Sequence, residues 1–318
     1  MNIINKTIWN MIKKNEDITL DNIINKLPNI DEKKIENKFN KYMNNFLILE
    51  KLKKIPLVKQ RTQEWIDLRK NRLTASNLSE AISGNNEKIA KKKAGIIVDN
   101  INFSNIPAIK WGVMFESMAA RCYSQLNDDM KINEFGLILN DDLDCFAASP
   151  DGITELGDMI EIKCPYSRKI DGNIPNAYYL QMQGQMAVCN LKKCIYIECS
   201  FIEYEDNEKY LEEKEENNIN YGVIAEFKDD NDEYYYLYSK EYLNKEETIL
   251  DIENKKNDCN YKFIKFHYWK LKEINIKKVK FNEKEWNEII KPKIIAFWEK
   301  VENYKINKKP NLFIEDDD

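Results

Sequence analysis

Apolar and charged residues alternate along residues 160–163 of the stretch M-I-E-I-K, so Glu161 and Lys163 share one face of a strand and Ile160 and Ile162 the other. The residues around it punctuate the pattern: Pro150 and Gly152 flank Asp151 as turn formers, Gly157 and Asp158 offer a second turn, and Pro165 cannot continue a central strand. Elsewhere the apolar period lengthens to that of helices. Ile35, Phe39, Tyr42 and Phe46 recur behind Asp31 as N-cap, and Pro28 and Asn29 part this helix from an earlier one near residues 20–27. Leu78, Ala81 and Ile82 predict a short helix capped by Thr74 or Ser76, and Met114, Phe115, Met118 and Cys122 stripe a longer one entered through Trp111 and Gly112. Tyr178, Met182 and Met186 mark a helix over 177–188, and Trp286, Ile290, Ile294 and Trp298 another over 281–304, bent at Pro292. Strands are expected at 135–139, 145–148 and 193–198, with a tyrosine-rich hairpin strand around 234–238.

This alternation of strands and helices predicts an α/β (α+β) chain, a central mixed sheet flanked by helices. We divide its 318 residues into an N-terminal helical appendage at 1–55 and a main domain at 56–318, with an acidic insertion near 202–256 and a closing helix at 281–304. The hydrophobic content of 43% suffices for a core, and no apolar run reaches the length of a membrane span, so a soluble intracellular protein is expected. Seven cysteines, an odd number, fit reduced thiols. The net charge of −5 hides an asymmetry: Glu203 to Glu253 holds 18 acidic residues against five lysines, leaving the remainder at +8. A basic body remains compatible with a nucleic-acid partner.

Candidate chemistry gathers on residues 148–165, A-S-P-D-G-I-T-E-L-G-D-M-I-E-I-K-C-P. Asp151 and Glu161 offer oxygen ligands to a hard cation such as Mg²⁺, with Mn²⁺ as a substitute, and Lys163 can orient a water or offset charge on a phosphate. Such a set suits hydrolysis of a phosphodiester. His267 is the only histidine, which excludes histidine-rich metal sites and any Ser-His-Asp or Cys-His mechanism that does not use it; we read it as structural. In the stretch 61–83, Arg61, Arg69 and Arg72 accompany Trp65 and the hydroxyls of Thr74 and Ser76, a combination suited to anions. The lysine-rich segment 87–93 reads as a solvated face or a backbone contact.

The order of these pieces resembles the lambda-exonuclease or YqaJ-type viral recombinase family of PD-(D/E)xK nucleases. The resemblance runs from about residue 61 to 200 through five motifs: W-x(3)-R with L-T-A-S (Trp65, Arg69, Leu73 to Ser76), W-G-x(3)-E (Trp111 to Glu116), S-P-D-G (Ser149 to Gly152), E-I-K-C-P (Glu161 to Pro165) and Y-x(2)-Q-x-Q (Tyr178 to Gln183). It implies a restriction-endonuclease-like core and a Mg²⁺-dependent 5′-to-3′ exonuclease acting on double-stranded DNA with free ends, in recombination, repair or viral genome processing. Asp151, Glu161 and the Ile162 carbonyl would hold the metal, Lys163 would activate the attacking water, Glu116 would be an outer carboxylate and Gln181 an active-site hydrogen-bonder. Arg69 and Ser76 would grip the 5′ phosphate. An endonuclease with the same core, or a DNA-binding scaffold without turnover, are the alternatives, and the acidic region could recruit a single-strand annealing protein.

Overall fold

The computed structural model describes the chain except residues 59–61, 98–105, 214–219, 231–232 and 308–318. Its centre is a seven-stranded mixed sheet in the order β2-β5-β6-β7-β10-β8-β9, formed by β2 (Ile132–Asn133), β5 (Gly152–Thr154), β6 (Met159–Lys163), β7 (Lys193–Tyr204), β8 (Tyr221–Lys228), β9 (Tyr234–Tyr238) and β10 (Lys262–Lys280). Only β6 and β7 run parallel; the other neighbours are antiparallel. A small second sheet, β1 (Leu73–Thr74), β4 (Phe146–Ala148) and β3 (Ile138–Leu139), lies beside it. The mixed sheet flanked by helices is the fold class expected from the sequence.

The period-two pattern of β6 is what divides the core. Ile160 and Ile162 pack with Ile195 and Ile197 of β7 against Met114, Phe115 and Met118 of α7 (Pro107–Gln125). The opposite face meets α8 (Asn176–Cys189), where Met182 and Met186 pack with Met159, Cys194 and Tyr196. α7 starts at Pro107, four residues ahead of the expected Trp111, because proline suits a first helical position whose N–H has no partner. At the closing end Glu283–Glu285 (α11) is followed by a π-helical turn at Trp286–Ile290 and then α12 (Lys291–Ile306). The irregularity expected at Pro292 thus falls in the turn just before it, where the proline's missing N–H leaves the i→i−4 ladder incomplete.

Three N-terminal helices, α1 (Ile3–Lys13), α2 (Leu20–Lys26) and α3 (Glu32–Leu52), share their own apolar cluster around Ile8, Ile23, Ile35 and Tyr42. Asp31 caps α3 by accepting from the Lys34 N–H at 2.9 Å. The helix is pinned to the β5–β6 turn where Asn45 donates its amide to the carbonyls of Leu156 and Gly157 at 3.4 and 3.3 Å. Gly157 sits there at φ +70°, and a Cβ on it would stand 2.3 Å from that of Asn45.

The acidic stretch supplies the end of β7, α9 (Asn207–Glu212), β8, β9 and α10 (Lys245–Asn257), and so contributes strands to the central sheet. Its tyrosine-rich strand β9 pairs with β8, Tyr235 opposite Phe227 with ring centroids 6.3 Å apart.

Candidate active site

Asp151 immediately precedes β5 rather than closing an earlier strand, since Gly152 already opens the hairpin. A side chain at Gly152 would meet Ile132 at 2.4 Å, so β2 can pair this closely only with glycine there. The hairpin sets Asp151 beside β6, and its Oδ2 accepts from the backbone N–H of Ile162 at 2.6 Å. Glu161 is fully buried, and one of its oxygens accepts from Lys163 Nζ. The other accepts from Gln185 Nε2 at 2.7 Å. Lys163 also lies over the Tyr178 ring, 4.9 Å from its centroid.

Burial, then the neighbouring Glu161 and Glu116 carboxylates, push the Asp151 carboxyl well above its ordinary range, against the opposing pull of Lys163 and the Ile162 N–H. Burial alone would lower the Lys163 ammonium, but Glu161 and Asp151 outweigh it and hold it above its ordinary value. Glu116 on α7 lines a cleft of about 430 Å³ together with Lys163, Tyr166, Arg168 and Tyr178. Arg168 is fixed at the edge of this cleft by an ion pair with the buried Glu198, the residue paired with Lys163 across β6 and β7.

Among the described residues, no three His, Cys, Asp or Glu side chains stand close enough to bind a metal by themselves. The donor chemistry nonetheless fits a hard divalent ion. Asp151 and Glu161 supply carboxylate oxygens beside the Ile162 backbone, and such an ion completes its shell with water and substrate oxygens.

The second site is organised by Arg69, in α4 (Gln63–Lys70). Its guanidinium stacks on Trp65 at 4.2 Å, and its Nη2 donates to Thr74 Oγ1 and Ser76 Oγ, both at 3.1 Å. These hydroxyls do not cap the following helix as expected: the chain makes a 3-10 turn at Ala75–Asn77 before the four-residue α5 (Leu78–Ala81), and neither start shows a side-chain cap. The nearby guanidinium has taken the hydroxyls instead. Arg72, just beyond α4, donates Nη1 back to the Leu68 carbonyl at 3.1 Å. Arg61 lies outside the described residues.

Two residues of these sites escaped the sequence reading. Gln185, one helical turn after the half-buried Gln181, is the glutamine that bonds Glu161; Gln183 instead clamps the end of β10 through the Lys280 carbonyl and the Asn282 N–H. The i, i+4 spacing put Gln181 and Gln185 on one side of α8 and was the available signal. Lys93, at the end of α6 (Glu87–Lys93), donates to the Arg69 carbonyl at 2.9 Å. Burial, with Arg69 and Lys92 nearby, lowers its ammonium to about 8, and burial lowers the Arg69 guanidinium to about 10. Arg69 and Lys93 thus stand together as two partly buried cations. His267, in β10, bridges Glu203 and Glu226 through its two ring nitrogens at 2.8 and 2.7 Å.

Comparison with known proteins places these features. An uncharacterized protein of Acanthamoeba polyphaga mimivirus is 27% identical over 306 residues, covering 81% of this chain and 55% of the relative, so the chain spans about half the length of that relative. The solved alkaline exonuclease LHK-Exo from Laribacter hongkongensis is similar at 19% identity and a TM-score of 0.48, covering 77% of this chain and 95% of the other. A phage-related exonuclease from Haemophilus somnus is similar at 11% identity and a TM-score of 0.43, covering 73% and 94%. Residues 64–192, which carry the Arg69 site, Glu116, the Asp151 hairpin and α8, match the YqaJ-like viral recombinase domain.

Proposed function

We propose that the protein is a metal-dependent deoxyribonuclease that degrades one strand of duplex DNA from its 5′ end. The observation that carries the reading is the clustering of Asp151, Glu161 and Lys163 on the β5–β6 hairpin, beside a cleft lined by Lys163 and Glu116, within the YqaJ-like segment. Asp151, Glu161 and the Ile162 carbonyl would hold Mg²⁺, with Glu116 as an outer carboxylate. When bound, the ion supplies Lewis-acid polarisation of the phosphoryl oxygens. The chain's own part is positioning. Gln185 and Lys163 fix the two oxygens of Glu161, and Lys163 holds its proton and its charge where a phosphate gains negative charge. Arg69, Ser76 and Lys93 would take a terminal 5′ phosphate, whose two negative charges answer the two partly buried cations.

The experiment is digestion of linear duplex DNA labelled at the 5′ or the 3′ end, with Mg²⁺ and with EDTA, beside closed circles. Metal-dependent early release of the 5′ label, with circles spared, is expected. Asp151→Asn and Lys163→Ala should abolish release while retaining DNA binding. Cut circles would replace the exonuclease by an endonuclease, and cleavage by either variant at the wild-type rate would refute the site.

A further inference from the structure

The N-terminal helices meet the far end of the sheet at a concentration of like charge that folding does not explain. Lys193, the first residue of β7, stands directly opposite Lys280, the last of β10, in the antiparallel register. Like charges placed opposite one another destabilise a strand pair. Lys41 on α3 lies one turn before Asn45, the residue that pins the helix to the adjoining turn, with Lys38 a further turn back. Four ammonium groups from three separate elements thus face one carboxylate, Asp158, which Lys193 already binds at 2.5 Å. The next cation along the chain, Lys192, is paired with Glu283 at 3.4 Å and does not add to the cluster. Burial first, and then its lysine neighbours against the opposing pull of Asp158, lower the Lys41 ammonium.

We propose that Lys38, Lys41, Lys193 and Lys280 form a contact for the phosphate backbone of duplex DNA, separate from the catalytic cleft and built jointly by α3 and the sheet. It rests on the nuclease reading above. The patch adjoins Asp158, and Lys163 lies five residues along from it in β6, a span of about 17 Å at about 3.3 Å per residue. By strand alternation Asp158 and Lys163 also leave the sheet on opposite faces, which keeps the patch apart from the catalytic cleft. A polyanion relieves the repulsion and releases its own counterions, whereas a small anion would meet lysines on a surface with no enclosing wall.

The test measures binding of a duplex several helical turns long, in EDTA, from low to physiological salt. Lys41→Gln/Lys280→Gln is expected to flatten the slope of log affinity against log salt by about two, about one per lost phosphate contact. The single-turnover cleavage rate at saturating enzyme should stay at the wild-type value, and Lys41→Arg/Lys280→Arg should restore the slope. An unchanged slope in the glutamine variant, with wild type binding DNA normally, overturns the patch alone. Wild-type protein that neither binds nor cuts DNA overturns the nuclease reading and the patch with it.

Discussion

At the scale of single residues, the candidate site depends on how one carboxylate is held. Glu161 is buried, and its rotamer is fixed by the Lys163 ammonium on one oxygen and the Gln185 amide on the other. Groups that orient metal-binding side chains are worth about 10–100-fold in metal affinity or activity. Gln185→Ala should therefore lower cleavage by about that much at limiting Mg²⁺ and recover in part at high Mg²⁺, as a metal titration of the rate would show. Lys93 makes the opposite case, a residue that costs stability. Its folded value of about 8 lies below the ordinary 10.5, so at pH 7 the native state carries a charge it disfavours. Lys93→Met should raise the melting temperature at pH 7, by an amount that shrinks as the pH rises through 8 and vanishes above 10.5. The same variant, like Arg69→Ala, should erase any preference for 5′-phosphorylated over 5′-hydroxyl ends in a comparison of cleavage rates. That Glu161 and Lys163 share a face was legible in the sequence, because strand alternation fixes which side chains lie together. Gln185 and Lys93 were not, because their partners lie 24 residues away in sequence and only packing brings them together.

At the scale of elements, local periodicity foretold helices better than it foretold their ends or companions. α3 and α8 follow their apolar spacing closely, with a cap at Asp31 and a left-handed Asn190 closing α8. The two-residue strands β1 and β2 carry no pattern long enough to read, β3 fills only two residues of its expected 135–139, and their placing in two different sheets is decided by pairing partners far along the chain. β7 outran its expected span of 193–198 to reach Tyr204, because the 19-residue β10 pairs along its whole length. The junction of α3 with the β5–β6 turn is specific enough to test. Gly157→Ala places a side chain in a left-handed conformation that costs about 1–2 kcal/mol before its contact with Asn45 is counted. Urea unfolding should show at least that loss.

At the scale of the whole molecule, charge and fold have separate geographies. The acidic stretch lies largely in the strands and helices beyond β7, while the cleft, the Arg69 site and the lysine patch lie in the parts that carry the positive surplus. Composition alone could give the sum of these charges but not their separation, which the seven-stranded sheet creates by spreading the two regions along its width. The YqaJ-like match ends at residue 192, and β7 begins at Lys193. The one parallel pairing of the central sheet therefore joins the last strand of the recognisable domain to the first strand outside it. A fragment cut at that boundary would turn β6, the strand bearing Glu161 and Lys163, into a naked sheet margin. Its row of open amides and carbonyls would then invite other chains to dock and aggregate. What is inherited as a motif and what folds as a unit are, in this chain, two different lengths.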